Sequence, residues 1–177
     1  MESILIHNKP FRLNIRAEEI KEAIAKIAKR INSDLKGKNP LFLAVLNGSF
    51  IFAGDLLRMI DLECEISFVK LSSYDGVSST GKVKELIGLD RNIQGRTVVI
   101  VEDIVDTGVT LETLYAQLAL GKPLEIMTAA LLFKPEAYTK KIKVDYPAME
   151  VPNDFLVGYG LDYDGLGRNL GDIYKAV

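Results

Sequence analysis

The chain has 177 residues, of which 48% are hydrophobic and 26% are charged, which is typical of a globular rather than a disordered protein. Its net charge of −2, with lysines spread along the chain, predicts no basic surface for DNA or RNA, so we expect no nucleic-acid partner. The single cysteine, Cys64, excludes an internal disulfide, and together with the single histidine, His7, it is too few for a zinc cluster. Any metal must therefore be held by oxygen. No apolar run is long enough for a bilayer span and the N-terminus lacks a signal-peptide pattern, so we expect a cytoplasmic protein without a membrane partner.

The first part of the chain alternates between helical and extended patterns. Apolar residues recur at helical spacing from Ile20 to Ile31, and acidic residues precede them, which predicts an amphipathic helix. Residues 41–46 form a short apolar run typical of a strand buried on both faces. An Asn-Gly-Ser turn then leads into a second helix that ends near Met59. A strand that feeds a helix in this way indicates a parallel sheet.

The same alternation continues toward the C-terminus. Strands are predicted at residues 65–71, 97–101 and 126–133, and a helix at residues 109–120. These elements predict an α/β fold with a mainly parallel twisted sheet flanked by helices, formed by one domain over residues 1–177. Ligands of such sheets bind at the carboxyl ends of the strands. Residues 72–84 lack the apolar side chains that would fix them, so we expect a mobile loop there.

The most informative segment covers residues 98–110 and reads Val-Val-Ile-Val-Glu-Asp-Ile-Val-Asp-Thr-Gly-Val-Thr. The turn at residues 106–110 can direct backbone N–H groups and two hydroxyls at one phosphate, where the helix N-terminus favours negative charge. Gly108 allows the backbone to approach that phosphate closely. Glu102 and Asp103 end the strand, where they can accept ribose hydroxyls or hold magnesium, which prefers oxygen ligands. The segment predicts a site for a sugar phosphate with a metal ion.

Other interpretations of this segment account for less of it. Aspartic proteases also contain Asp-Thr-Gly, but they need an all-β fold and a second aspartate motif, and this chain has neither. A Walker loop is excluded because no Gly-x-x-x-x-Gly-Lys-Ser/Thr string occurs. A solvent-facing acidic pair followed by a simple helix cap at Asp106 or Thr107 explains single residues but not the whole string.

Residues 98–110 closely resemble the phosphoribosyl pyrophosphate signature of type I phosphoribosyltransferases, and specifically that of the hypoxanthine-guanine phosphoribosyltransferases. Further segments resemble this family in chain order: residues 46–49 the first pyrophosphate loop, Ser73 and Tyr74 with residues 79–81 the mobile lid, residues 131–135 the segment with the purine-contacting lysine, and residues 154–163 with 168–170 the purine-binding end. The resemblance covers residues 41–172. It implies the family core with a small hood built from the terminal segments, namely residues 134–172 and the N-terminal segment.

The resemblance also implies a role for each matching residue. Asp106 would be the general base; Glu102, Asp103, Asp106, Thr107, Gly108, Val109 and Thr110 would bind ribose and its phosphate; Asn47, Gly48 and Arg168 would bind pyrophosphate; Lys134, Phe155, Leu156 and Asp162 would bind the purine; Glu102, Asp103 and Asp162 would hold Mg²⁺. The implied reaction joins hypoxanthine or guanine to phosphoribosyl pyrophosphate, giving the nucleoside monophosphate and pyrophosphate, in a homodimer or homotetramer. A lysine donor facing the exocyclic oxygen would accept oxopurines and disfavour the amino group of adenine.

The sequence departs from the family pattern at two places. Asn47 stands where many relatives carry lysine, which leaves backbone binding of pyrophosphate possible but changes a subunit contact, and residues 164–167 replace bulkier residues near the metal. The resemblance also predicts a non-proline cis peptide bond at Leu46-Asn47. Two alternatives stay open. The protein could be a phosphoribosyltransferase that prefers xanthine, because backbone geometry at the far edge of the purine ring decides the preference among oxopurines. It could also be a nucleotide-sensing regulator on the same fold.

Overall fold

The computed structural model describes residues 3–74 and 83–177. The elements in chain order are β1 (Ser3–Ile6), β2 (Lys9–Ile15), α1 (Ala17–Asp34), β3 (Leu41–Val45), α2 (Phe50–Leu57), β4 (Glu65–Tyr74), β5 (Val83–Ile87), β6 (Thr97–Val105), α3 (Val109–Ala119), β7 (Glu125–Phe133), β8 (Tyr146–Glu150), β9 (Leu156–Val157) and β10 (Ile173–Ala176). Among these residues no helix is long and apolar enough to cross a membrane.

The main sheet of the described chain has the strand order β5-β4-β3-β6-β7-β8. Five strands, in the order β4-β3-β6-β7-β8, pair in parallel. The edge strand β5 pairs antiparallel with β4. The predicted α/β fold with a mainly parallel sheet is confirmed. Because the strands are parallel, β3, β6 and β7 end at one edge of the sheet, and the segments that follow them meet there.

Helices cover both faces of this sheet, as the wholly buried strand β3 requires. Phe42 and Ala44 point to the face packed by α1 and α2, and Leu41 and Leu43 point to the opposite face packed by α3. Helix α1 buries the predicted apolar positions Ile20, Ala23, Ile24, Ile27, Ala28 and Ile31. The alternating residues of the strands and the apolar faces of the helices therefore form two apolar layers, one on each face of the sheet.

The two ends of the chain form a second, smaller antiparallel sheet of order β1-β2-β10-β9. Register pairs such as Ile173 with Ile15 join residues from opposite ends of the sequence. Asp172 Oδ1 also accepts a hydrogen bond of 2.7 Å from the backbone N–H of Ala17 at the start of α1. This sheet is the small hood expected from the terminal segments, and we call it the hood.

The structure describes strand residues at both ends of the loop expected at residues 72–84. Strand β4 continues to Tyr74, and β5 already begins at Val83, with Tyr74 opposite Val83 in an antiparallel pair. Backbone hydrogen bonds join the two segments, and such bonds leave no pattern in the composition of either one, which is why composition alone did not predict the strands. Residues 75–82, which include most of the predicted lid, lie outside the described residues.

Candidate active site

Two adjacent carboxylates lie at the end of β6. Glu102 is 6% exposed, and burial raises its pKa well above the usual range, with the charge of Asp103 raising it further. Burial also raises the pKa of Asp103, although a hydrogen bond of 2.9 Å from the backbone N–H of Ile104 to its Oδ1 acts in the opposite direction. Burial of two neighbouring acids is costly unless a cation offsets their charge, so this pair suits a cationic ligand.

The turn between β6 and α3 lines a cavity of about 270 Å³ together with the acidic pair. It contains the predicted phosphate-binding residues Asp106, Thr107, Gly108, Val109 and Thr110. Gly108 has φ +85°, and a Cβ there would overlap the ring of Tyr138 and the side chain of Lys140. Because α3 begins at Val109, the positive end of its dipole points into this cavity.

A second cavity of about 270 Å³ lies beside the first, and Leu156 of the hood strand β9 forms part of its lining. Its lining includes Asp103, Asp106, Lys134, Phe155, Leu156 and Asp162, which brings the residues predicted for the purine together with the predicted base. Phe155 is 47% exposed, and the Nζ of Lys9 lies over its ring, 5.3 Å from the centroid. Tyr163 packs edge-on against this ring with centroids 5.6 Å apart.

Lys134 lines the second cavity and is hydrogen-bonded to Asp106, which lines both cavities. It follows directly after β7, and its side chain is buried, with 6% of the residue exposed. Its Nζ donates a hydrogen bond of 2.9 Å to Asp106 Oδ2 and one of 3.3 Å to Asn153 Oδ1. A buried ammonium group needs such partners, and here one of them is the predicted general base.

A third cavity, of about 330 Å³, lies at the loop after β3. Its lining includes Asn47, Gly48, Asp162 and Arg168 as well as the acidic pair. The Leu46-Asn47 peptide bond is cis, as predicted. A Cβ at Gly48 would overlap the carboxylate of Asp103, so only glycine allows this loop to lie against the acidic pair.

Arg168 links residues from the C-terminal part of the chain that lie at the third cavity. Its Nη1 donates a hydrogen bond of 2.6 Å to the backbone oxygen of Gly160, and its Nη2 lies 2.6 Å from Asp162 Oδ1. Asp162 Oδ2 also accepts a hydrogen bond of 2.8 Å from the N–H of Gly165. The guanidinium group thus neutralises Asp162 at the rim of a cavity predicted to receive pyrophosphate.

The residues present fit a divalent cation only in part. Glu102, Asp103 and Asp162 line one cavity and supply the oxygen ligands that Mg²⁺ prefers. Within residues 3–74 and 83–177, however, no set of three or more acidic, histidine or cysteine side chains is already arranged as a metal cluster. The buried acidic pair is the part that fits, because a cation there would offset the cost of its burial.

The predicted site residues outside the lid converge on these three adjoining cavities. For the lid, only the backbone of Ser73 and Tyr74 is described, in β4. Sequence reasoning missed Asn153, which is a hydrogen-bond partner of Lys134, and Phe11 of the hood, whose ring packs against that of Phe155. Asn153 precedes Phe155 by two residues, but no spacing rule connects it to a lysine 19 positions earlier.

Comparisons with known proteins agree with this geometry. A family model described as a phosphoribosyl transferase domain matches residues 14–164. The hypoxanthine-guanine phosphoribosyltransferase of Aquifex aeolicus is 37% identical over 171 residues, which cover 96% of each chain. That of Streptococcus pyogenes serotype M3 is 45% identical over 146 residues, covering 82% of this chain and 81% of the relative.

Solved structures agree as well. The crystal structure of a hypoxanthine-guanine phosphoribosyltransferase from Bacillus anthracis superimposes with a TM-score of 0.83 at 35% identity, covering 94% of this chain and 96% of that one. The fold, the geometry of the site and the sequence identity over nearly the whole length all indicate the same family. The chain belongs to the phosphoribosyltransferase family, and within it to the hypoxanthine-guanine phosphoribosyltransferases.

Proposed function

We propose that this protein is a purine salvage enzyme that transfers the phosphoribosyl group of phosphoribosyl pyrophosphate to hypoxanthine or guanine. The products are inosine or guanosine monophosphate and pyrophosphate. The observation that carries the proposal is the pair formed by Asp106 and Lys134, whose Oδ2 and Nζ atoms are 2.9 Å apart between the phosphate turn and the exposed ring of Phe155. One acid and one cationic donor thus lie between a phosphate cradle and a stacking surface.

Each group has a task in this reaction. The turn at residues 106–110 binds the ribose phosphate through its N–H groups and hydroxyls. Phe155 stacks on the purine, and Leu156 supplies backbone contacts to it. Lys134 donates to the exocyclic oxygen, which selects oxopurines because adenine would present a donor to a donor.

Asp106 acts as the general base. It accepts the proton of the imidazole nitrogen that attacks the anomeric carbon, a contribution of roughly a hundred- to ten-thousand-fold for this kind of catalysis. Positive charge develops on the ribose as pyrophosphate leaves, and Glu102 and Asp103 lie where they can hold the ribose hydroxyls. The loop at Asn47 and Gly48 and the fork of Arg168 receive the departing pyrophosphate.

We assign Mg²⁺ as the metal of this site, held through Glu102, Asp103 and, once it is released from Arg168, Asp162. When bound, the ion neutralises charge on the pyrophosphate as it departs. The buried acidic pair with raised pKa values supports this assignment. A thermal shift with MgCl₂ that is lost in Asp103→Asn would support it further, and an equal shift in both proteins would contradict it.

We propose a homodimer or homotetramer of single-domain subunits in the cytoplasm. The apolar side chains of Phe50, Ile66 and Phe68 are exposed on α2 and β4, and a second subunit would bury them. Light scattering coupled to gel filtration tests this state. A monomer at micromolar concentration would contradict it.

The decisive experiment measures nucleotide formation from phosphoribosyl pyrophosphate with hypoxanthine, guanine, xanthine and adenine, with and without Mg²⁺. Asp106→Asn serves as the matched control, since it keeps the size of the side chain and removes the base. Magnesium-dependent turnover of hypoxanthine and guanine that falls at least a hundredfold in the control is the expected result. Faster turnover of xanthine would replace the proposed substrates, and tight phosphoribosyl pyrophosphate binding without turnover would favour a regulator.

A further inference from the structure

The ammonium group of Lys134 has two described acceptors of different kinds. Asp106 Oδ2 at 2.9 Å is a carboxylate oxygen, and Asn153 Oδ1 at 3.3 Å is a neutral amide oxygen. An ammonium group has three N–H donors, so two acceptors leave one donor for a ligand. With two donors occupied, the direction of the third is fixed by geometry rather than by rotation of the side chain.

The position of Asn153 is itself well fixed. It lies between β8 and β9, where the backbone N–H of Val151 donates to the oxygen of Phe133 at 2.9 Å, one residue before Lys134. The N–H of Asp154 donates to the oxygen of Pro152 at 2.8 Å and closes the turn around Asn153. The same turn leads into Phe155. The lysine and the stacking ring are therefore joined through one short segment.

We infer that Asn153 is a positioning residue that directs Lys134 toward the exocyclic oxygen of the purine. This inference rests on the proposed function. When Asp106 accepts the proton of the base, its negative charge disappears and its attraction for Lys134 weakens. The amide of Asn153 does not change during the reaction, so it holds the ammonium group in place through the chemical step. Asn153 then sets base affinity and the discrimination against adenine, without touching the base.

The test compares Asn153→Ala and Asn153→Leu, which remove the acceptor, with Asn153→Asp, which keeps one. Asn92→Ala is the matched control, because the Asn92 side chain accepts only a local backbone hydrogen bond remote from the site. The KM values for hypoxanthine and for phosphoribosyl pyrophosphate are measured separately, with kcat. Calorimetric titration of the protein with GMP and with AMP gives a readout that does not need turnover.

Loss of the acceptor should raise the KM for hypoxanthine about tenfold, the range for a hydrogen bond to a charged group, with the KM for phosphoribosyl pyrophosphate unchanged. The preference for GMP over AMP should fall by a similar factor, and Asn153→Asp should stay within about threefold of the parent. Unchanged base affinity in both acceptor-free variants, or an equal loss for both substrates, would overturn the inference. If the parent protein forms no nucleotide, the proposed function fails, while the titrations still decide the role of Asn153.

Discussion

The contact between Gly160 and the loop after β3 can be tested by adding a single methyl group. Gly160 has φ +100°, and a Cβ there would overlap the backbone oxygen of Gly48. Gly165 has φ +87° with no heavy atom within 4 Å of the same position. Gly160→Ala and Gly165→Ala therefore carry a similar backbone cost of about 1–2 kcal/mol, and only the first also forces two backbone segments apart.

The difference between the two variants isolates that contact. Backbone cannot rotate away as a side chain can, so we expect Gly160→Ala to cost a further 1–3 kcal/mol or so, the usual range for overpacking. At about 2–4 °C per kcal/mol for a chain of this size, its melting temperature should lie several degrees below that of Gly165→Ala. If the loop moves instead, the same free energy appears as a KM for phosphoribosyl pyrophosphate raised about tenfold.

Differential scanning fluorimetry and steady-state kinetics on the two purified variants measure both quantities. The KM for hypoxanthine serves as an internal reference, because the cavity proposed for the base does not include Gly48 or Gly160 in its lining. Equal melting temperatures together with equal KM values for phosphoribosyl pyrophosphate would refute the reasoning, since the overlap at Gly48 would then have no consequence.

Three further predictions concern single side chains. Lys134→Met should lower kcat/KM for hypoxanthine at least about a hundredfold and leave the slow reaction with adenine unchanged; equal losses for both bases would contradict the assigned donor role. Phe155→Ala should raise the KM for the base about tenfold through lost stacking, while phosphoribosyl pyrophosphate binding, measured by calorimetry, stays constant. Tyr159→Phe removes the part-buried hydrogen bond to Asp55, whose side chain is 42% exposed, and chemical denaturation should show a loss of about 0.5–1.5 kcal/mol near neutral pH. Burial and this hydrogen bond raise the pKa of Tyr159 above its ordinary value of 10.0, so the folded state retains the proton that the unfolded state releases. Stability should therefore fall as the pH rises above about 10, and less steeply in Tyr159→Phe; identical slopes would contradict this.

The sequence was most informative where the relevant interactions are local. The buried strand β3, the amphipathic face of α1 and the order of strands and helices follow from apolar spacing within single elements. The turn at residues 106–110 was predictable for the same reason, since the acidic pair, the turn and the helix N-terminus are consecutive in the chain. Family resemblance added Lys134 and Phe155. Taken alone, a lysine is usually a surface residue and a phenylalanine is usually a core residue, so neither residue type indicates a binding site.

The pairing of strands was harder to predict. Pairing of β4 with β5 depends on backbone hydrogen bonds between residues 70–74 and 83–87, which leave little trace in composition. The paired strands of the hood were missed as individual elements, because β2 and β10 lie at opposite ends of the sequence and bury few side chains each. Their stability comes from a partner that local patterns do not contain.

The sequence patterns by themselves determined the fold class and the turn at residues 106–110, and the family resemblance added the other candidate site residues. Tertiary structure alone decided how these groups meet: Asn153 at the ammonium group of Lys134, Arg168 on Asp162, and the backbone of Gly160 against Gly48. Local patterns reflect preferences of neighbouring residues along one element. Contacts between residues that are distant in sequence depend on how the whole chain packs. The distance between two such residues changes when any element that positions either of them moves.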